Sequence, residues 1–316
     1  MFRVLIPQDI SACAKDFLKG KGYEVQVGPG FDEATLQREI PNCDAVIART
    51  AVYSRETISK AGSRLKIIAR HGVGVDNIDL EQAKKQGVWV SVAKGANSTS
   101  VAEHTMTLLL AASKKLIEFD RGTKEGRFQI RNQMHGSEVT GKTLAIIGFG
   151  AIGRKVASMA HNGFGMRIHA YDIFKPQNIP DYVAWHDQLD EIYALADAVT
   201  YHVPLTPETK NMACSDTIAK MKDGVILINC ARGGIINEAE LVRALETGKV
   251  GAAGMDVFEE EPPKLENPLL HVKNLVLTPH NAALTNEAAA AMAMMSAKAV
   301  DDVLSGRRPD YPVFEL

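Results

Sequence analysis

The apolar, β-rich run Leu144-Ala145-Ile146-Ile147 ends in Gly148-Phe149-Gly150-Ala151-Ile152-Gly153, three glycines in G-x-G-x-x-G spacing. A segment of helical character follows, Arg154 to Asn162, and the next apolar run closes on Tyr171-Asp172. A strand, a glycine turn, a helix and an acidic residue about 20 positions on form an arrangement that holds a dinucleotide. Gly148 permits a tight turn, Gly150 lets backbone approach a pyrophosphate, and Gly153 lets strand and helix pack closely. Free N–H groups at the helix start, at Ala151 and Ile152, face the phosphates together with the positive end of the helix dipole. Asp172 is placed to accept from the adenosine ribose hydroxyls and to repel a 2′-phosphate, which favours NAD over NADP, although Lys175 stands three residues away. The plainer reading is a glycine turn in a non-binding α/β domain. The joint presence of strand, helix and acid argues against it.

A nicotinamide cofactor donates or accepts hydride, so its site must also hold a carbonyl oxygen and move a proton. Groups suited to this follow three later strand-like runs. Arg232 lies just past Val225-Ile226-Leu227-Ile228-Asn229; then come Asp256-Val257-Phe258-Glu259-Glu260-Glu261-Pro262-Pro263 and Leu277-Thr278-Pro279-His280-Asn281. Ligands of open α/β sheets bind beyond such carboxyl ends. Taken singly, His280 reads as a loop histidine, Arg232 as half of a surface ion pair, and Glu261 as one of three solvated acids.

Together these segments resemble the D-isomer-specific 2-hydroxyacid dehydrogenases, a family that includes D-3-phosphoglycerate dehydrogenase and glyoxylate/hydroxypyruvate reductases. The resemblance extends to Arg70-His71-Gly72-Val73-Gly74-Val75-Asp76-Asn77-Ile78-Asp79, to Gly95-Ala96-Asn97 with Ser100-Val101-Ala102-Glu103, and to His202-Val203-Pro204-Leu205-Thr206. It implies that His280 is the acid/base, Glu261 its carboxylate partner, and Arg232 the clamp on substrate carboxylate and carbonyl. Those roles suit the side chains: an imidazolium can protonate a ketone oxygen, a carboxylate raises its pKa, and a guanidinium fork fits a carboxylate. The resemblance further implies that backbone N–H groups of Val73 and Gly74 receive the substrate carboxylate, with Asn97 nearby. Asp256 and the Cys230-Ala231 backbone would hold the nicotinamide carboxamide, and His202, Pro204 and Thr209 would line the cofactor cleft. Arg49 matches an arginine common in these enzymes, where it binds a second anionic group or pairs with a surface acid. Departures from the family's pattern occur at Asn281 and Leu284, after the histidine, and at Phe128, where many relatives carry tryptophan.

The elements that must position these groups are legible as an alternation of short apolar runs with amphipathic stretches, the pattern of repeated βαβ units. Strands are expected at Arg3 to Pro7, Tyr23 to Val27, Ala45 to Ala48, Lys66 to Arg70 and Val88 to Ser91. A second series is expected at Thr143 to Ile147, Arg167 to Asp172, Ala198 to His202, Val225 to Asn229, Val250 to Asp256 and Leu275 to Leu277. Gly22 and Gly87 suit left-handed helix ends. From Ser98 to about Lys115 the helical spacing of Val101, Thr105, Leu108, Leu109 and Ala112 predicts a long helix, and Ser100 and Glu103 have the spacing of a capping box near its start. The polar stretch from Thr123 to Thr140 reads as an arm or linker, and a final helix is expected from Asn286 to Leu304. The class is therefore α/β. The resemblance divides it into two doubly wound parallel-sheet domains, Rossmann-like and flavodoxin-like, with a cleft between them. Residues 1–97 and 284–316 would form a discontinuous substrate-binding domain. Residues 98–283 would form the NAD-binding domain, including a dimerisation helix and arm, so a homodimer is expected.

Composition narrows the partners. With 46% hydrophobic and 23% charged residues the 316-residue chain has an ordinary globular balance, and its net charge of -2 gives no general attraction to nucleic acid or an anionic membrane surface. Cys13, Cys43, Cys214 and Cys230 form no CxxC pair, so neither a disulfide framework nor a metal site is suggested, and reduced thiols in the cytoplasm are expected. No run approaches the roughly 18 apolar residues of a membrane span, and the start at Met1-Phe2-Arg3 lacks the features of a signal peptide. The end near Tyr311 to Leu316 leaves no extra regulatory domain. A small 2-hydroxyacid or 2-ketoacid is the expected partner. An NAD-sensing corepressor of the same fold would keep Arg232, Glu261 and His280, and a formate dehydrogenase is a further alternative. Turnover of 2-ketoacids separates these readings.

Overall fold

Two series of parallel strands, joined by helices, account for most of the chain in the computed structural model, which describes residues 1–316. The chain divides into two units, Met1–Asn97 with Leu284–Leu316, and Ser98–Ala283. In the first unit β1 (Arg3–Ile6), β2 (Glu24–Val27), β3 (Ala45–Ala48), β4 (Ile67–Arg70) and β5 (Trp89–Val92) pair in parallel in the order β2-β1-β3-β4-β5. That order is the flavodoxin-like one. Val4, Ile6, Ala45, Ile47, Ile67 and Ala69 face one layer, which the final helix Asn286–Leu304 covers through Ala293, Ala297 and Val300; Leu5, Val46, Ile68 and Val90 face the other. Strands covered on both faces need continuous apolar sequence rather than alternation, which is why β3 reads Ala-Val-Ile-Ala. Gly22 and Gly87 take positive φ values of 83° and 68° before β2 and β5.

The second unit holds β6 (Thr143–Ile147), β7 (Arg167–Tyr171), β8 (Val183–Trp185), β9 (Ala198–Tyr201), β10 (Val225–Asn229), β11 (Val250–Met255) and β12 (Leu275–Leu277). They lie in the order β12-β11-β10-β9-β6-β7-β8, all parallel. Strand order reverses between β6 and β9, and a doubly wound sheet opens its ligand crevice at the carboxyl ends of such a pair. The helix Ser98–Lys114 lies across β10 and β11, burying Val101, Met106, Leu108, Leu109 and Ala112. It comes so close that a Cβ on Gly254 of β11 would stand 2.8 Å from Leu108 Cβ.

Four expectations need correction. The long helix runs Ser98–Lys114 as expected, but Ser100 caps nothing: its hydroxyl donates to the Ala282 carbonyl at 2.5 Å, tying the helix to the far end of the unit. The helix after the glycine turn starts at Ala151 rather than Arg154 and runs to Phe164. The polar stretch is not a free linker. A helix Leu116–Lys124 and a 3-10 turn Phe128–Asn132 occupy its start, Ile130 is buried against Gly122, and the Ser137 N–H donates to the Ser113 carbonyl at 2.7 Å. Finally, β8 lies outside the expected strands, because three residues at a sheet edge are too few to show a period.

Candidate active site

The glycine turn joins β6 to the helix Ala151–Phe164 at the point where strand order reverses. The Gly148 N–H donates to the Tyr171 carbonyl at 2.8 Å and the His202 N–H to the Ile147 carbonyl at 2.7 Å, so the turn is stitched to both neighbouring strands. Gly148 has φ 96°, and a Cβ there would stand 2.6 Å from the His202 carbonyl oxygen. A Cβ on Gly153 would meet the Gly148 carbonyl oxygen at 2.2 Å. Gly150 differs, because a Cβ there would meet nothing within 4 Å. Around it the helix N-terminus has no side-chain cap and no acidic residue in its first turn. Uncapped N–H groups beside open space fit the pyrophosphate of a dinucleotide.

Asp172, one residue past β7, accepts from the Phe149 N–H at 2.7 Å through one carboxylate oxygen. The other is 3.4 Å from the Phe174 nitrogen. The acid therefore braces the glycine turn as well as standing where ribose hydroxyls would lie. On the β9 side, Thr209 donates to the Pro204 carbonyl at 2.6 Å, which fixes the loop after His202. Burial pushes the His202 imidazole down to about 3, so it is neutral; Nε2 pairs with Thr200 Oγ1 at 3.1 Å and the buried Nδ1 has no protein partner.

Beyond β10, the side chain of Asn229 grips both sides of the next turn, accepting from the Ala231 N–H at 2.9 Å and donating to the Arg232 carbonyl at 2.8 Å. Arg232 Nη1 donates to the Ala231 carbonyl at 2.7 Å. A Cβ on Gly233 would fall 1.7 Å from the Phe258 carbonyl oxygen, so only glycine lets this turn rest on the Phe258–Glu261 segment. That contact brings the turn carrying Arg232 to the segment carrying Glu261. Cys230 is buried, and burial pushes its thiol up to about 12, which makes it a packing group rather than a nucleophile.

Glu261 and His280 meet at 2.7 Å between Oε2 and Nδ1, while Oε1 accepts from the Phe258 N–H at 3.1 Å. Burial pushes the Glu261 carboxyl up, but hydrogen bonds from His280 and Phe258 outweigh it and hold the group below the usual carboxylate range. The hydrogen bond to Glu261 raises His280 above an ordinary imidazole, against the opposing effect of burial. Both shifts favour the ion pair. With Nδ1 turned to Glu261, Nε2 is the nitrogen left to face a substrate.

His280 has φ 52°, a left-handed backbone for a residue that is not glycine. Asp256, completely buried, holds it there. Its Oδ1 accepts from the Asn281 N–H at 2.9 Å and from Thr278 Oγ1 at 2.6 Å, and Oδ2 accepts from the Ala282 N–H at 2.9 Å. With no exposed surface and three donors from residues 278–282, the Asp256 carboxylate anchors the histidine loop.

In the first unit, Arg70 shapes the loop after β4. Its Nε donates to the Gly74 carbonyl at 2.7 Å and Nη1 to the His71 carbonyl at 2.9 Å, leaving the Val73 and Gly74 N–H groups with no protein acceptor. Arg49 Nη1 donates to the Asp9 carbonyl at 2.8 Å, and Asn77 ties down the carbonyls of Arg49 and Ala51. Asn97 directly precedes the long helix. Sequence reasoning gave no role to Asn229, Gly233, Arg70 or Asn77, which work through backbone contacts, or to Thr278, which works through the Asp256 carboxylate; residue spacing shows none of these.

Residues 106–282 match the NAD binding domain of the D-isomer specific 2-hydroxyacid dehydrogenases. The chain belongs to that family. Over 305 residues, 96% of its length, it is 40% identical to D-3-phosphoglycerate dehydrogenase of Archaeoglobus fulgidus, and it spans 58% of that enzyme. It is also 41% identical over 289 residues to hydroxypyruvate reductase of Thermotoga maritima, covering 91% of the chain and 93% of the relative. The TT0316 protein of Thermus thermophilus superposes with a TM-score of 0.91 at 33% identity, covering 99% of this chain and 100% of that one. This member of the 2-hydroxyacid dehydrogenase family thus carries the family's NAD-binding domain and two parallel-sheet α/β units. None of its helices is long and apolar enough to cross a membrane.

Proposed function

We propose that the chain interconverts a D-2-hydroxyacid and its 2-ketoacid with NAD, residues 98–283 binding the cofactor and residues 1–97 with 284–316 binding the substrate. The observation that carries this reading is the 2.7 Å His280–Glu261 pair, in the unit that holds the open glycine turn. When bound, the nicotinamide supplies or accepts the hydride. During ketone reduction, protonated His280 donates from Nε2 to the carbonyl oxygen, and during oxidation the same nitrogen takes the hydroxyl proton. Glu261 stabilises the imidazolium and fixes its ring. Arg232 clamps the carboxylate and polarises the carbonyl, and the N–H groups of Val73 and Gly74 with Asn97 receive the carboxylate oxygens.

Gly148, Gly150, Ala151, Ile152 and Gly153 seat the pyrophosphate and Asp172 selects NAD, while His202, Pro204, Thr209, Cys230, Ala231 and Asp256 line the remaining cofactor surface. Arg49 offers its charge to a second anionic group, such as the phosphate of a three-carbon substrate. A hydroxypyruvate, glyoxylate or 3-phosphohydroxypyruvate substrate fits this set best. We further place the protein in the cytoplasm as a homodimer built through the long helix and its arm. Initial rates of NADH oxidation with pyruvate, glyoxylate, hydroxypyruvate and 3-phosphohydroxypyruvate test the reading. Turnover of at least one is expected, and NADH binding without turnover of any would replace it with a sensor.

A further inference from the structure

We propose that His104, on the long helix Ser98–Lys114, is a positioning residue for His280, acting through the hydroxyl of Thr278 on the loop that Asp256 anchors. The inference rests on His280 being the acid/base. Thr278 has a single hydroxyl proton and two neighbours, Asp256 Oδ1 at 2.6 Å and His104 Nε2 at 2.9 Å. A carboxylate oxygen can only accept, so the proton goes to Asp256. The remaining contact then requires His104 to donate from Nε2, which assigns its tautomer at that nitrogen. His104 Nε2 also stands 3.6 Å from Asp256 Oδ1, so its N–H is directed at the same carboxylate–hydroxyl cluster.

The arrangement brackets His280 from both sides. Thr278, two residues before it, and Asn281 and Ala282, just after it, all bond to the one buried carboxylate. A left-handed residue other than glycine is strained and persists only where its surroundings over-determine it. The following bracket is made of backbone N–H groups, which no side-chain rotation can undo. The preceding one is a side-chain hydroxyl that donates to Asp256 and accepts from His104, so its position is held from two sides. The His104 side chain is 18% exposed, so water competes little for the bond. Without the His104 donor the Thr278 hydroxyl keeps Asp256 Oδ1 as its acceptor but its oxygen loses the contact that ties the loop to the long helix, and the approach of His280 to Glu261 is less tightly fixed. Misplacement of a catalytic group by about 1 Å costs up to about 100-fold in rate.

The test compares His104→Phe, which removes the donor, with His104→Gln, which returns an N–H, and Thr278→Val with Thr278→Ser. Readouts are kcat and KM for the best ketoacid, the pH profile of kcat, the Kd of NADH and Tm. His104→Phe and Thr278→Val should each lower kcat roughly 10-fold and alter the pH profile, with NADH Kd within about twofold; His104→Gln and Thr278→Ser should retain most activity. The double variant should be no worse than either single one. Full kcat in His104→Phe, equal losses in His104→Phe and His104→Gln, or additive losses would overturn the proposal. Should His104→Phe fail to fold, the Thr278 pair decides, since full kcat in Thr278→Val overturns it equally. His280→Ala in the same assay separates the two levels: if it keeps turnover, the site reading itself fails, whereas an inactive His280→Ala beside a fully active His104→Phe sinks this inference alone.

Discussion

Replacing Glu261 with Gln isolates the electrostatic part of the site. Glutamine keeps the shape and can still accept from the Phe258 N–H, now 3.1 Å away, but it offers His280 an uncharged partner. The leading cause that raises His280 is thereby removed, and burial, which lowers it, is left to dominate. A hydrogen bond to a charged group contributes about 1.5–3 kcal/mol. The Glu261 and His280 side chains are 36% and 46% exposed, so solvent screening places this one at the low end. About 1.4 kcal/mol is tenfold in the fraction of imidazolium. Reduction needs the imidazolium, so wild-type reduction falls as pH rises through the raised His280 value, whereas oxidation, which needs neutral imidazole, rises through it. In Glu261→Gln both limbs should move to lower pH, and ketoacid reduction above neutrality should drop roughly tenfold. Initial rates of NADH oxidation across pH read this directly. An unmoved limb would refute the assigned role of Glu261.

The glycine turn separates fold from binding. Gly150→Ala should leave Tm unchanged, because its Cβ meets open space, yet weaken NADH binding measurably by calorimetry; Gly153→Ala places Cβ 2.2 Å from the Gly148 carbonyl and should cost about 1–3 kcal/mol of stability in denaturant unfolding. Asp172→Asn keeps an acceptor for the Phe149 N–H but removes the charge, and the NADH-over-NADPH preference should narrow roughly fivefold, about the 1 kcal/mol that unit charges 4 Å apart exchange in water. An unchanged Kd ratio would remove Asp172 from cofactor selection. Among the thiols, Cys13 is exposed, whereas burial pushes Cys43 to about 11 and Cys230 to about 12. Titration with a thiol reagent and peptide mapping should label Cys13 in the native protein and Cys43 and Cys230 only after unfolding.

Most of the fold was legible because buried parallel strands leave an unbroken apolar run in the sequence. The expected strands of the second sheet lie within one residue of their observed ends, as do those of the first. β8 escaped through brevity, and Ser100 misled because a capping-box spacing was met by a residue whose hydroxyl is used elsewhere. At the candidate site the expected partnership of Glu261 and His280, both beyond strand ends, is met by a 2.7 Å contact. The site was not legible where the work is done through backbone: Asn229 gripping its own turn, Gly233 making room for Phe258, and Arg70 holding the carbonyls of His71 and Gly74. Asp256 shows the difference most clearly. The resemblance implies a cofactor contact for it, and the coordinates add that its carboxylate accepts from Thr278, Asn281 and Ala282 on the histidine loop.

The central claim is that His280 moves the proton while the cofactor site stands independently of it. Single-turnover reduction of the best ketoacid by NADH-loaded His280→Ala, with NADH Kd measured in parallel, tests it most directly. The account predicts a rate lowered by about 10²–10⁴-fold with NADH affinity retained. A rate near that of the wild type, in an enzyme still saturated with NADH, would contradict it.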